Sequence, residues 1–556
     1  MSVHPKRLLI VGGVAGGASC AARARRLSET LAITIFERGS FVSFANCGLP
    51  YYVGDVITDE KKLLVADADL FRQRFNIDVR LENEVLSIDR EQATITVCHR
   101  PTGKIYQEPY DALVLAPGAA PLRPPIPGID LPGIFALRTI PDSRHIRSWI
   151  DDHQAQRAVV VGGGFIGLEM AENLVHRGLA VTLIEAQDQV MAPLDPEMVA
   201  PVHAQLRSQG VNLCLQDSVT RFEVAPDGGL HITTQAGVTH GADLVILGMG
   251  VRPETTLAQA AGLTLGDRGG IRVNAQMQTS DPKIWAVGDA IEVRDVVTGA
   301  WTHIPLAGPA NRQGRIAAES ICGRQPRFRG VQGTSVCGLF GLTIASTGAN
   351  EKTLQRLGWP YGKVYLHPGH HVGYYPNAQP IDFKLLYRQS DGRLLGAQAV
   401  GKAGIEKRID VVAMALQMGA TVFDLEEAEL CYAPQFGAAK DPVNMAGMIA
   451  ANALRGDAPL VHWTDLADRD GALLLDVRNP GEFEAGHVPE ALNIPLPDLR
   501  DRLSTLDPTQ PMWVYCQVGQ RAYYATRILR LNGFAAYNLS GGFQTYQSVY
   551  GASAHP

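Results

Sequence analysis

One arrangement occurs twice in this chain, and it limits the fold more than any other feature. Arg7–Val11 reads as an apolar strand, Gly12–Gly17 as a glycine turn, and Ala18–Leu27 as a helix with small residues on its packing side. Ala32–Phe36 then reads as a second strand, with Glu37 at its end. The same order returns in Arg157–Val161, Gly162–Gly167, Leu168–His176, Ala180–Ile184 and Glu185. A strand, helix and parallel strand joined this way form a βαβ unit. Its glycine turn lets a pyrophosphate meet a helix N-terminus. Two such units, separated by further strands and turns, predict two dinucleotide-binding domains rather than a short-period repeat.

The two turns are not equivalent. The second, GGGFIG, holds Gly162, Gly164 and Gly167 in the register of an intact fingerprint. Glu185 after it suits a ribose 2′-hydroxyl and repels a 2′-phosphate, and no Arg or Lys stands in Ala186–Val190, so NADH is expected over NADPH. The first, GGVAGG, has Gly12, Gly13, Gly16 and Gly17, but Val14 fills the position where a glycine lets backbone approach the pyrophosphate. Gly13 and Gly16 relax the turn on either side, and Glu37 is the expected ribose acceptor. Thr279–Asp289 resembles the second FAD motif of two-dinucleotide flavoproteins, which gives Asp289 to the ribityl chain. Leu115-Ala116-Pro117-Gly118 and Leu247-Gly248-Met249-Gly250 resemble the short crossovers between the two domains. That resemblance puts Ala116 and Gly118 beside FAD. Bound FAD and NADH are therefore expected.

Composition narrows the class further. A chain of 556 residues exceeds the ~250–300 at which one core stops growing. A net charge of −6, from 50 basic and 56 acidic residues, argues against general nucleic-acid binding. Eight cysteines occur without CxxC or Cys/His spacing, so neither a disulfide framework nor a metal site is expected. Lys6, Arg7 and the apolar run after them imitate a signal peptide, but a strand, glycine turn and helix explain them better. No stretch of ~18 apolar residues is present, and a cytoplasmic protein without membrane spans is expected.

The reactive centre is sought beside the flavin. Ser43-Phe44-Ala45-Asn46-Cys47-Gly48-Leu49-Pro50-Tyr51-Tyr52 offers one cysteine, Cys47, with Tyr52 where two-cysteine disulfide reductases carry a second. A lone cysteine there can cycle between thiolate and a mixed disulfide, persulfide or sulfenic acid. With these residues, positions 1–455 resemble the coenzyme A-disulfide reductase group of the pyridine nucleotide–disulfide oxidoreductase family. Ala15 stands where the oxidase and peroxidase branch has a histidine, and Glu429–Pro434 lacks the histidine of the two-cysteine enzymes. The resemblance gives Tyr432 a role across a homodimer interface and a second active-site role to Tyr374 or Tyr375. It also implies a coenzyme A site at Ser19, Arg23, Arg26, Ser43, Asn46, Asn311 and, from the other subunit, Lys440. Arg23 and Arg26 leave one helix a turn apart, so they share a face that could hold phosphates. His367, His370 and His371 cluster without evident carboxylate partners and read as a loop rather than a metal site.

The last part of the chain resembles a rhodanese domain. Asp476-Val477-Arg478, Glu482-Phe483 and Gly486-His487-Val488 match its framework, and Cys516-Gln517-Val518-Gly519-Gln520-Arg521 its active loop. Backbone N–H groups, Arg521 and a helix N-terminus can stabilise a Cys516 thiolate or persulfide. The expected fold is α/β: two Rossmann-like dinucleotide-binding domains, an α+β dimerisation domain and a small α/β rhodanese domain. The expected boundaries are 1–111 with 251–330 for FAD binding, 112–250 for NAD(P)H binding, 331–455 for dimerisation and 460–556 for rhodanese. The short bridge Arg455–Pro459 is expected to keep the last domain within swinging reach of the coenzyme A site. The resemblances imply NADH-driven reduction of coenzyme A persulfide, polysulfide or coenzyme A disulfide, with a sulfur relay through Cys516. An NADH oxidase, or a sulfur carrier with a regulatory flavin module, are the alternatives.

Overall fold

The computed structural model describes residues 6–551; the two ends of the chain, parts of the first and last expected domains, lie outside them. The chain forms two compact units, Met1–Val190 with Gly210–Gly333 and Met191–Gln209 with Thr334–Pro556.

The first unit contains two parallel five-stranded sheets. One runs Ile284–Ala286, Ala112–Leu115, Arg7–Val11, Ala32–Glu37, Asp78–Leu81, with Arg7–Val11 at its centre. The other runs Asn212–Cys214, Ala180–Ile184, Arg157–Val161, Leu244–Leu247, Ile134–Phe135. Leu8, Leu9, Ile10 and Val159, Val160 are buried, as strands covered on both faces must be. The helices begin earlier than the sequence predicts, at Ala15–Arg25 and Phe165–His176. The later glycines of each turn are already helical because the helix presses on the strand end. A Cβ on Gly17 would lie 2.0 Å from the Gly12 carbonyl oxygen, and one on Gly167 1.9 Å from that of Gly162. Gly12 and Gly162 themselves turn through φ +93° and +104°, a region glycine alone enters at no cost.

The second unit contains an antiparallel sheet in the order Ser335–Leu339, Leu342–Gly348, Leu394–Gly401, Ile381–Arg388, Tyr361–Leu366. It also contains a parallel one, Leu460–Val461, Ala536–Leu539, Met512–Tyr515, Leu473–Asp476, Leu492–Asn493. The helix Pro196–Ser208 falls inside the span 112–250, yet it groups with this unit. It buries Met198, Val199, Val202 and Leu206, and its start meets a buried lysine. Lys384, fully buried, donates to Asp195 at 2.7 Å and also to Glu197 and Glu351. Burial pulls its ammonium down, but the three carboxylates outweigh burial and hold it above its ordinary value.

The C-terminal module is fastened to the antiparallel sheet. Ser540 Oγ accepts from the Tyr365 N–H at 2.9 Å. His367 bonds Asp382 through Nδ1 at 2.6 Å and Thr545 Oγ1 through Nε2 at 2.8 Å. The expectation that the histidine cluster has no carboxylate partner is therefore corrected for His367, whose acid comes from a neighbouring strand. The bridge is held too: Arg455 forks onto Glu426 at 2.9 and 2.7 Å, and Arg530 donates to the Gly456 carbonyl at 3.3 Å. No helix among the described residues is long and apolar enough to cross a membrane.

Candidate active site

Cys47 lies in the one-turn segment Asn46–Gly48, which runs directly into the helix Leu49–Val53. Upstream, Ser43 takes a left-handed φ of +48°, unusual for a residue with a Cβ. Its N–H donates to the Gly13 carbonyl at 2.9 Å and its carbonyl accepts from Val65 at 2.9 Å, so the segment is pinned to the first glycine turn. Cys47 is open to solvent on one side and crowded on the other. That crowding, followed by the charges of Glu169 and Asp289, pushes its thiol up, while Arg138 works against them. Arg138 Nη2 stands 3.6 Å from Asp289 and covers Gly118, where a Cβ would lie 2.6 Å from the guanidinium.

Each turn is tied to the acid at the end of its second strand. Gly13 N–H donates to Glu37 at 2.9 Å and Gly163 N–H to Glu185 at 2.6 Å. Gly39 and Gln187 donate to the other oxygens at 2.9 Å each, which fixes both carboxylates beside their turns. Both glycine-turn helices start without a side-chain cap and without an acid in the first turn, leaving N–H groups for an anion. Beside Gly164 there is open space where a side chain would stand, which suits a pyrophosphate. In the first turn Val14 takes that place as the residue before the helix, and Gly16 packs on Val287. Ala116 donates to the Val11 carbonyl at 2.8 Å, and a Cβ on Gly12 would lie 2.1 Å from the Ala116 oxygen. The donor set and the space fit two dinucleotides.

Ser19 donates to Asn311, joining the helices Ala15–Arg25 and Ala307–Ile321. Those helices touch because Gly314 has no side chain: a Cβ there would lie 2.3 Å from the Gly16 oxygen. Arg23 turns to Glu319, its Nε at 3.1 Å, whereas Arg26 is exposed and makes no ion pair among the described residues, so the two do not meet on one partner. Asn46 Oδ1 is buried without a hydrogen-bond partner among the described residues, an unmet acceptor next to Cys47 in the chain. In the second unit Tyr374 and Tyr432 share a hydrogen bond of 2.7 Å, which is the largest influence raising the Tyr432 hydroxyl. Tyr375 instead packs edge-on against His371, with ring centres 5.4 Å apart. The geometry thus pairs Tyr374, and not Tyr375, with Tyr432. Lys440 is exposed just before the helix Pro442–Leu454, which Asp441 caps.

Cys516 is buried at the end of the strand Met512–Tyr515, and the helix Gln520–Leu531 follows its loop. Gly519, at φ +93°, directs its N–H to the Cys516 sulfur at 3.2 Å. Arg521 faces that sulfur while forking onto Glu482 with two bonds of 2.6 Å. The fork holds the Glu482 carboxyl down to about 2. The outside of the loop is fixed as well. Phe543 and Gln544 N–H groups hold the Cys516 and Gln517 carbonyls at 2.8 and 3.0 Å, and Arg478 reaches Gln517 Oε1 at 3.3 Å.

Sequence reasoning missed Glu169, Tyr51 and Arg138. Glu169 had one signal: a carboxylate two residues past Gly167, among apolar neighbours on the helix.

Residues 6–314 match the model of the pyridine nucleotide-disulphide oxidoreductases, and 334–441 match the dimerisation domain of that family. The chain belongs to the pyridine nucleotide-disulphide oxidoreductase family. Residues 462–548 match a rhodanese-like domain. The coenzyme A disulfide reductase of Staphylococcus haemolyticus is 36% identical over 450 residues, covering 80% of this chain and 98% of that protein. Among solved structures, the reduced CoADR-RHD of Bacillus anthracis covers 98% of both chains at 46% identity and a TM-score of 0.96. The NAD-dependent persulfide reductase from A. fulgidus aligns at a TM-score of 0.90 and 36% identity, over 97% of this chain and 100% of its own. The water-forming NADH oxidase from Lactobacillus brevis is less similar, with 27% identity and a TM-score of 0.78 over 81% of this chain and 99% of its own.

Proposed function

We propose that this chain is a cytoplasmic, homodimeric, FAD-dependent reductase that uses NADH to reduce coenzyme A persulfide, polysulfide and coenzyme A disulfide. One observation carries the reading: a lone Cys47 beside two dinucleotide sites shares a chain with a loop that cradles sulfur at Cys516. Residues 1–111 with 251–330 are assigned to FAD, 112–250 to NADH, 331–455 to dimerisation and 460–556 to sulfur transfer. The first glycine turn, Glu37 and Asp289 would hold FAD, which when bound would supply two-electron chemistry between a nicotinamide and a sulfur centre.

The chain's own residues do the rest. Glu185 selects NADH by accepting from the ribose and repelling a 2′-phosphate. Cys47 is the nucleophile that takes sulfur or a thiol from the substrate. Ser19, Arg23, Arg26, Ser43, Asn46 and Asn311 hold coenzyme A, and Lys440, Tyr374 and Tyr432 complete the site across the dimer. Cys516 carries sulfane sulfur as a persulfide anion, stabilised by Gly519 N–H and Arg521, and hands it to the coenzyme A thiol. The names of the relatives above support both the disulfide and the persulfide activity.

The test is an anaerobic assay of sulfide release from coenzyme A persulfide and of coenzyme A disulfide reduction, with NADH and with NADPH. Both should proceed, with higher kcat/KM for NADH. Sulfide release that ignores NADH would leave only a sulfur carrier. NADH consumption that needs oxygen and no thiol substrate would make the protein an oxidase.

A further inference from the structure

The sheet that fastens the C-terminal module also reaches its reactive loop. The helix Gly542–Tyr550 starts without a side-chain cap, so its first N–H groups need acceptors from elsewhere. They find them in the loop: Phe543 and Gln544 N–H donate to the Cys516 and Gln517 carbonyls at 2.8 and 3.0 Å. A trans peptide points its C=O and its N–H in opposite directions. Holding those two carbonyls therefore turns the Gln517 and Val518 N–H groups away from the helix. The next N–H, that of Gly519, lies 3.2 Å from the Cys516 sulfur.

The other side of that helix start meets the antiparallel sheet. Gly541 and Gly542, at φ +76° and +62°, form a wedge without side chains. A Cβ on Gly541 would lie 2.8 Å from the Tyr365 Cβ, and one on Gly542 2.4 Å from the Cys516 oxygen. Beyond the wedge, Asp382 Oδ1 accepts twice, from His367 Nδ1 at 2.6 Å and from Gln544 Nε2 at 2.8 Å. His367 Nε2 meets Thr545 Oγ1 at 2.8 Å. Asp382, His367 and Thr545 stand in the order of a hydrolytic triad, yet Thr545 is only 2% exposed and its hydroxyl is walled off from any substrate. Their chemistry is to hold, not to react. Gln544 is the link, because it gives its side chain to the sheet and its N–H to the loop.

We propose that Asp382 and His367 are positioning residues for sulfur transfer at Cys516, acting through Gln544 and Thr545. The proposal rests on Cys516 being the sulfur carrier, and adds that the dimerisation sheet completes its loop. In the step they serve, the Cys516 thiolate attacks the outer sulfur of a persulfide, R–S–SH. A bond forms between Cys516 Sγ and that sulfur, and the bond from RS to it breaks with its electron pair on RS⁻. The proton of the outer sulfur passes to RS⁻, which leaves RSH and the Cys516 persulfide anion. No electrons are gained or lost overall, so the step needs no reductant. Its demand is for N–H groups aimed at an anion that moves one atom outward, and the seam keeps those in place.

The test uses the full-length holoenzyme with glutathione persulfide as donor and coenzyme A as acceptor, without NADH. Asp382→Ala removes the shared acceptor, and Gln544→Leu removes one donor while keeping the bulk of the side chain. The kcat for transfer should fall roughly 10²-fold in Asp382→Ala and less in Gln544→Leu, with the KM for the donor unchanged. Amide exchange at Gln517–Gly519 should quicken in both. NADH-driven reduction of coenzyme A disulfide should be unchanged. His367→Gln, which keeps a donor for Asp382, should recover most of the transfer lost in His367→Ala. An unchanged kcat in Gln544→Leu overturns the proposal, even where Asp382→Ala fails to fold. So does a loss of transfer in Gln544→Leu matched by an equal loss of disulfide reduction, which marks a merely structural role. Transfer that survives Cys516→Ser overturns instead the reading beneath it.

Discussion

Cys47 and Cys516, the two cysteines to which the proposed chemistry gives the sulfur, are housed in opposite ways. Cys47 is open to solvent on one side, on a turn where burial of its other side, and then nearby carboxylates, push its thiol up. Cys516 is buried, with a backbone N–H on its sulfur and an arginine facing it. The surroundings of the first site disfavour its thiolate. The second is shaped in advance for an anionic sulfur, with both the loop and its arginine clamped. On the proposed reading, a centre that cycles through oxidation states stays open to its substrate, and one that only stores sulfur profits from fixed dipoles.

Three measurements would break or sharpen this contrast. The largest effect belongs to Cys47→Ser. Reduction of coenzyme A disulfide and persulfide should fall to background, while NADH still bleaches the flavin absorbance, because the nucleotide site is untouched. Persisting persulfide turnover would mean that the two sites are not distinct in role. Cys516→Ser should have a narrower effect. Sulfide release should slow only with donors that need a relay, and reduction of a small disulfide at Cys47 should be spared. Loss of both activities would show that the buried site supports the exposed one. Acid gives the smallest effect. The Glu482 carboxyl is depressed to about 2, so its contribution is complete above the ordinary 4.5 and is lost as pH falls from there through about 2. Glu169 is raised to about 7, so its contribution is complete below 4.5 and is lost as pH rises through 7. Lowering pH from about 8 to 5 should therefore slow corrected amide exchange around Asn46–Val53 and leave Gln517–Arg521 unchanged. Equal responses in the two segments would erase the distinction.

What the sequence made legible was local. The two glycine turns, their acids, the SFANCGLPYY segment and the Cys516–Arg521 loop each carry their chemistry in neighbouring residues. Their structural reasons, tight helix starts and fixed N–H groups, act over a few positions. The partners that complete the sites come from far away in the chain. Tyr51 and Glu169 meet across two helices, Arg138 reaches Asp289, and His367 finds its acid on another strand. Nothing in the pattern around Lys384 announces that three carboxylates from two segments converge on it. The same convergence explains why the helix Pro196–Ser208 leaves the unit its position suggests. A lysine at the centre of a strand reads as a charge facing water until its partners are known.

The fastening of the C-terminal module has a consequence for how such proteins can be recombined. Its docking depends on Ser540, Gln544 and Thr545 meeting Tyr365, Asp382 and His367, and its bridge is bound by arginines from both sides. A rhodanese-like module from elsewhere, spliced in at Arg455–Pro459, would bring its own catalytic loop but lack that seam. It would hang as a loose appendage where the native one is part of the wall. Module exchange here is a question of grafting a surface, and the linker is the least informative part of the graft.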